Sequence, residues 1–138
     1  MTQFTKRVSA IDISGIRKMF EGAGPNAINM GLGQPDFDTP ENIKAAAVAA
    51  LAAGKTGYTN NAGLDELREA VAAKLVRENN LSCEAKNVII TAGGSGALNI
   101  AIQALVEAGE KVGFNDPGLL SYGALATLAG GRPCPGRH

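Results

Sequence analysis

Between Asn87 and Glu107 the sequence passes from a short β-branched run, Asn87-Val88-Ile89-Ile90-Thr91, through Ala92-Gly93-Gly94-Ser95-Gly96, into a stretch carrying Leu98, Ile102 and Leu105 at helical spacing. Strand, glycine loop and helix in that order form the repeating unit of a parallel sheet covered by helices. A second unit follows. Lys111 to Asn115 reads as a strand weakened by Gly113, Asp116-Pro117-Gly118 as a turn, and Leu119 to Leu128 as a helix stopped by Gly130-Gly131. The expected fold class is α/β, punctuated by glycine, which makes up 18 of 138 residues where ~7% is usual.

Upstream of this pair the chain prepares the sheet with helices and one shaped loop. Ile16, Met19 and Phe20 predict an opening helix over Ser14 to Ala23, ended by Gly22, Gly24 and Pro25. Ala27 to Leu32 alternates loosely and leads into Gly33-Gln34-Pro35-Asp36-Phe37-Asp38-Thr39-Pro40, whose prolines forbid a regular ladder. Thr39 and Pro40 read as N-cap and first-turn residue of an Ala-rich helix, with Glu41 at its positive end and Gly54 closing it. After Gly63, Leu64, Leu67, Val71 and Leu75 recur at spacings of three and four, with Asp65, Glu66, Arg68 and Glu69 on the other face, and the helix ends near Asn79 and Asn80.

Charge and composition exclude several function classes. With 13 basic against 13 acidic residues the chain has no surplus of positive charge for phosphate backbones, so no nucleic-acid partner is expected. The longest apolar stretch, Ala45 to Ala53, falls far short of the ~20 residues that cross a bilayer. Lys6, Arg7, Asp12, Arg17 and Lys18 interrupt the first residues, so no secretory signal is read and the expected location is cytoplasmic. Cys83 and Cys134 stand apart, without metal-ligand spacing. The only histidine is His138, which removes Ser-His-Asp and Cys-His catalysis. The carboxylates Asp36 and Asp38, or Glu66 and Glu69, sit where capping or solvation accounts for them.

The glycine loop at 93–96 is where chemistry can reside. Backbone N–H groups after a strand and at a helix start converge with the helix dipole on an anion, the glycines permit close approach, and the Ser95 hydroxyl offers a directional hydrogen bond. G-G-x-G is not the dinucleotide fingerprint. The same residues serve equally as a plain tight turn with Ser95 as helix cap, and local sequence does not choose between the two.

Several separate segments together resemble one family. Asn29-Met30-Gly31-Leu32-Gly33-Gln34-Pro35-Asp36-Phe37-Asp38-Thr39-Pro40, then Tyr58 through Gly63 to Leu67-Arg68-Glu69-Ala70, then Thr91-Ala92-Gly93-Gly94-Ser95-Gly96-Ala97-Leu98, then Asp116-Pro117-Gly118 are similar, in that order, to the opening part of class I/II aminotransferases, pyridoxal-phosphate enzymes of fold type I. The resemblance implies an N-terminal arm over 1–32 and an incomplete, mostly parallel large domain with flanking helices over 33–138. It implies that Gly93, Gly94 and Ser95 hold the cofactor phosphate, that the Gly33 N–H meets the substrate carboxylate, and that Tyr58 reaches the partner subunit's phosphate in a homodimer. It further implies amino-acid and 2-oxo-acid substrates. A lyase or synthase of the same fold, or a noncatalytic module docking on a full-length subunit through its Tyr58 face, are the rival expectations. Arg68 is expected to serve its helix and neighbours.

Three departures accompany the resemblance. Leu119 stands where the family usually places an aromatic ring against the pyridine, forfeiting a stacking contribution of roughly 0.5–1.5 kcal/mol, with Tyr122 one turn further on as a partial substitute. The family's Schiff-base lysine, pyridine-pairing acid and carboxylate-binding arginine fall beyond the region covered, and none of Lys6, Lys18, Lys44, Lys55, Lys74, Lys86 or Lys111 occupies the lysine's position. No catalytic residue is therefore assigned, and the isolated chain is expected to be inactive. Lastly, Cys134 to His138, with Pro135 and Gly136, reads as a truncated or frameshifted end in place of the next strand.

Overall fold

Strand β1 (Lys111–Asp116) and strand β2 (Arg132–Arg137) pair in parallel, with Lys111 opposite Arg132 and Asp116 opposite Arg137. This is the only sheet among the residues that the computed structural model describes, which are 3–11, 22, 24, 26–28, 30 and 33–137. Five α-helices are described: α1 (Lys6–Ser9), α2 (Glu41–Ala52), α3 (Asp65–Asn79), α4 (Gly93–Leu105) and α5 (Ser121–Leu128), with a 3-10 turn at Ala85–Asn87. Helix α5 connects the strands and packs on both, so the second strand–helix unit forms as the sequence predicts. The opening helix expected over Ser14 to Ala23, most of the Asn29 to Leu32 segment and His138 lie outside the described residues.

The end of the chain corrects an expectation. Residues 132–137 form β2 despite Pro133 and Pro135. The Arg132 N–H donates to the Glu110 carbonyl at 2.6 Å, which fixes the phase of the strand. Alternate N–H groups of a strand point to opposite edges, so Cys134 and Gly136 face β1 while the prolines, which have no N–H, fall on the outer edge. The residue type that breaks an interior strand is here placed where no donor is needed.

The first strand–helix unit departs differently. Val88 to Thr91 is extended but belongs to no ladder; the Ile90 N–H donates instead to the Ala62 carbonyl at 2.9 Å, in the loop before α3. A β-branched run fixes extended backbone, yet a strand also needs a neighbour, and no described segment runs beside it.

Local rules account for the helix ends. Helix α2 closes in a Schellman turn, with Gly54 at φ +70°, Lys55 N–H to Ala50 O at 3.0 Å and Gly54 N–H to Leu51 O at 3.0 Å. Its start differs from the sequence expectation. Pro40 holds the N-cap position without a side-chain bond, and the Asp38 carboxylate, not Thr39, accepts the Thr39 N–H at 2.7 Å. Helix α3 ends at Asn80 in the left-handed region, φ 55°. Helix α1 begins under the Thr5 hydroxyl and is tied to the far end of α5 by Arg7, whose Nη1 donates to Leu128 O at 3.0 Å.

The core is thin. Only Ala72, Val88 and Ala126 are buried apolar residues among those described, and Ala126 sits in α5 where it meets the sheet. Gly131, between α5 and β2, permits that approach, because a Cβ there would lie 3.2 Å from Val112 Cγ2 of β1 and 3.3 Å from the Ala126 carbonyl oxygen. The chain exposes 11596 Å². A compact monomer of 14.1 kDa would expose about 6,700 Å². Ile43, Val48, Leu51, Ile100, Leu105 and Leu120 all remain more than half exposed.

Candidate functional site

The glycine turn is built from two hydrogen bonds and one left-handed residue. Gly93 N–H donates to Thr91 O at 2.9 Å, and the Thr91 hydroxyl donates to Gly93 O at 2.9 Å, so Thr91 closes the bend from both sides. Gly93 takes φ +68°, a conformation that side chains strain, and α4 starts at that residue. The first N–H groups of an α-helix have no partner within it, so with Ala92 at the N-cap those of Gly94 and Ser95 are left without an intrahelical acceptor, while Gly96 makes the first helical bond.

Among the described residues no group accepts from them. No side chain caps α4, and its first turn carries no acidic residue, whereas α2 and α3 carry Glu41 and Asp65 with Glu66 there. Positions where Cβ atoms of Gly93 and Gly94 would stand are open, with no atom within 4 Å. Ser95 is exposed and lies inside the first turn, not at the N-cap, which is Ala92; the alternative in which Ser95 caps the helix is thereby overturned. Unpaired donors, the positive end of a helix dipole and open space suit a tetrahedral anion such as a phosphate group.

The loop after β1 leaves the same sheet edge from which ligands are reached in open α/β folds. Leu119 precedes α5 and is 49% exposed, so its side chain is available to a planar group. Tyr122, one turn further on, is half-buried, its ring tilted against that of Phe114 at a centroid distance of 5.9 Å. A Cβ on Gly118 would overlap the Asn115 carbonyl oxygen, so only glycine allows this loop its path.

The other expected site residues lie apart from the turn. Tyr58 is fully exposed at 109%, and Gly33 is exposed in the loop before α2 with no atom within 4 Å of its Cβ position. Neither is brought into contact with 93–96 within the chain. The same loop is anchored by Asp38, which bonds Lys44 Nζ at 2.7 Å; Lys44 and the Thr39 N–H hold the Asp38 carboxyl below its ordinary range, and Asp38 with Glu41 raises Lys44.

Two residues beside the site were not singled out as site residues from the sequence. Arg68 is nearly enclosed at 14% exposure and donates to Val88 O, Ala85 O and Asp65. Its role in joining α3 to its neighbours agrees with expectation. Gly63, at φ +102°, lies so near Ile90 that a Cβ would stand 2.5 Å from Ile90 Cγ1. The glycine before α3 was legible as a boundary, but its close approach to a residue 27 positions on was not.

Comparison with known proteins gives this geometry its setting. Residues 25–137 match the family described as aminotransferase class I and II. The chain is 45% identical over 130 residues to the aspartate aminotransferase of Pyrococcus horikoshii, covering 93% of this chain and 33% of that protein. It is 45% identical over 108 residues to the aspartate/prephenate aminotransferase of Thermus thermophilus, covering 78% of this chain and 28% of that one. The structure of a Thermus thermophilus aspartate aminotransferase with maleate superposes with a TM-score of 0.89 at 37% identity, over 99% of this chain and 37% of that chain. Its fold type I architecture is the one expected from the sequence. The chain spans about a third of the length of the curated relatives it matches. With the family match running through the glycine turn, both strands and every helix after α1, this chain belongs to the aminotransferase class I and II family.

Proposed function

We propose that this chain contributes the phosphate-holding segment of a pyridoxal-phosphate-dependent aminotransferase, which moves an amino group between an amino acid and a 2-oxo acid. The observation that carries the proposal is the uncapped start of α4, where the Gly94 and Ser95 N–H groups have no acceptor among the described residues and the space at Gly93 and Gly94 is open. Pyridoxal phosphate, when bound, supplies the electron sink for bond breaking at the substrate Cα. Gly94 and Ser95 would hold its phosphate through backbone N–H groups and the Ser95 hydroxyl, with Gly93 setting the direction of the turn. Leu119 covers a face of the pyridine ring by dispersion alone. Gly33 donates its N–H to the substrate carboxylate.

Tyr58 serves the partner subunit's phosphate in a homodimer, and its complete exposure within this chain supports a target elsewhere. Residues 1–32 act as an arm and 33–138 as part of the cofactor domain. No lysine is assigned to catalysis; Lys44 is engaged by Asp38 and Glu41, Lys74 by Glu78 and Lys86 by Glu84. The relatives named for aspartate, and the maleate in the Thermus structure, make a dicarboxylic amino acid the first substrate to try. A cytoplasmic location belongs to the same proposal, and free thiols at Cys83 and Cys134 fit a reducing compartment.

The test is an amide-resolved NMR titration of the chain with pyridoxal phosphate and, separately, with pyridoxal. Saturable shifts centred on Gly94 and Ser95 with the phosphorylated compound alone are expected. Equal shifts with both compounds, or none at these amides, would falsify the phosphate assignment.

A further inference from the structure

We propose that Arg68 and Gly63 are positioning residues that together clamp the 88–91 segment and thereby set where the glycine turn stands; the consequence for anion binding rests on the phosphate site proposed above. The segment leading into the turn has no sheet partner among the described residues, so something else must fix it. Its one backbone bond to another part of the chain is Ile90 N–H to Ala62 O at 2.9 Å. That bond requires Gly63 beside it to lack a Cβ, because the Ile90 side chain fills the space at 2.5 Å.

Arg68 supplies the second point. Nε donates to Val88 O at 3.0 Å and Nη2 to Ala85 O at 2.9 Å, so one guanidinium spans the 3-10 turn Ala85–Asn87, gripping the carbonyl of its first residue and that of the residue just after it. Val88 itself is buried. The remaining contact, Nη1 to Asp65 at 2.9 Å, orients the guanidinium from the preceding turn of α3 while Asp65 stays 71% exposed. The planar fork matters here: an ammonium on a flexible stem cannot hold two carbonyls in one fixed geometry. Gly63 and Arg68 flank the start of α3, so a single rigid element carries both grips. Val88 and Ile90 are held, Thr91 closes the bend and α4 begins; an error at Val88 would be passed directly to the Gly94 and Ser95 amides.

The experiment compares the full chain with Arg68→Lys, Asp65→Asn and Gly63→Ala by residue-resolved amide exchange and by inorganic phosphate titration at the Gly94 and Ser95 amides. Arg68→Lys is expected to speed Ile90 exchange about tenfold, as loss of charge-assisted bonds implies, and to weaken phosphate binding several-fold. Amides of β1 and β2 should keep their rates within about twofold, and Asp65→Asn, which removes the charge of a 71% exposed carboxylate but keeps an oxygen able to accept from Nη1, should change Ile90 exchange and phosphate binding by less than about threefold. Gly63→Ala should resemble Arg68→Lys. The clamp is overturned if Ile90 in the unsubstituted chain exchanges as in an unstructured peptide, if Arg68→Lys leaves it protected, or if protection falls equally throughout β1 and β2. A wild-type chain with a protected Ile90 but no phosphate-dependent shift would overturn the phosphate site and leave the clamp standing.

Discussion

The ring of Tyr122 stands 5.9 Å from that of Phe114 at an interplanar angle of 44°, joining α5 to β1 through a tilted aromatic pair. Such a pair contributes about 0.5–1.5 kcal/mol beyond the area it buries. Tyr122→Leu is therefore expected to lower protection of the β1 amides in hydrogen exchange about two- to tenfold, with little change in α3. Unchanged β1 protection would show that α5 is held by Ala126 and Gly131 alone.

The accessible surface of 11596 Å² and the shortage of buried apolar side chains imply weak cooperativity. Calorimetry of the chain by itself should give a broad, shallow transition, and a dye that reports exposed apolar surface should bind below that transition. A single sharp endotherm with enthalpy near the usual ~0.7 kcal/mol per residue would contradict this.

The loop carrying Gly33 should loosen in acid. Lys44 and the Thr39 N–H lower the Asp38 carboxyl in the folded chain, so their stabilising contact is complete above the ordinary carboxylate value of about 4 and is lost as pH falls through the lowered one. Lys44 is raised, so from its side the contact is complete below about 10.4 and lost only above that. Carboxylate NMR should place Asp38 below the ordinary aspartate value of about 3.9, and Asp38→Asn should bring the Lys44 ammonium down. Asp38 titrating at the ordinary aspartate value would show that the pair does not persist in solution.

Much of this arrangement was written in local sequence. The Gly54 stop of α2, the Asn80 end of α3, the strand at Lys111 and the helix before Gly130 follow from periodicity and left-handed residues. What local pattern could not carry was pairing. Val88 to Thr91 has strand composition but no ladder, while Arg132 to Arg137 has two prolines and yet forms one, because the phase of Arg132 against Glu110 decides which N–H groups matter. At the site, the glycine turn was evident from residue order; the grip of Arg68 on Ala85 and Val88 was not, since it depends on how α3 folds back across that turn.

Gly118→Ala should disturb the loop that presents Leu119, because the added methyl would collide with the Asn115 carbonyl. Amide shifts across Asn115 to Tyr122 are expected to move, with those of α3 unaffected. A spectrum unchanged in that loop would mean that the turn adopts another conformation in solution.

Incubation with pyridoxal phosphate followed by borohydride should label no single lysine stoichiometrically, and addition of aspartate should yield no keto acid. Lys44, Lys74 and Lys86 are held in exposed ion pairs, away from any assigned catalytic role. One lysine modified in preference to all others, accompanied by turnover, would require a catalytic amine within this chain.

The most direct measurement is a crystal structure of the chain grown with pyridoxal phosphate. Its phosphoryl oxygens are expected within hydrogen-bonding distance, about 2.7–3.2 Å, of the Gly94 and Ser95 amide nitrogens. A well-ordered compound bound elsewhere, with residues 93–96 untouched, would show that the start of α4 does not hold the phosphate.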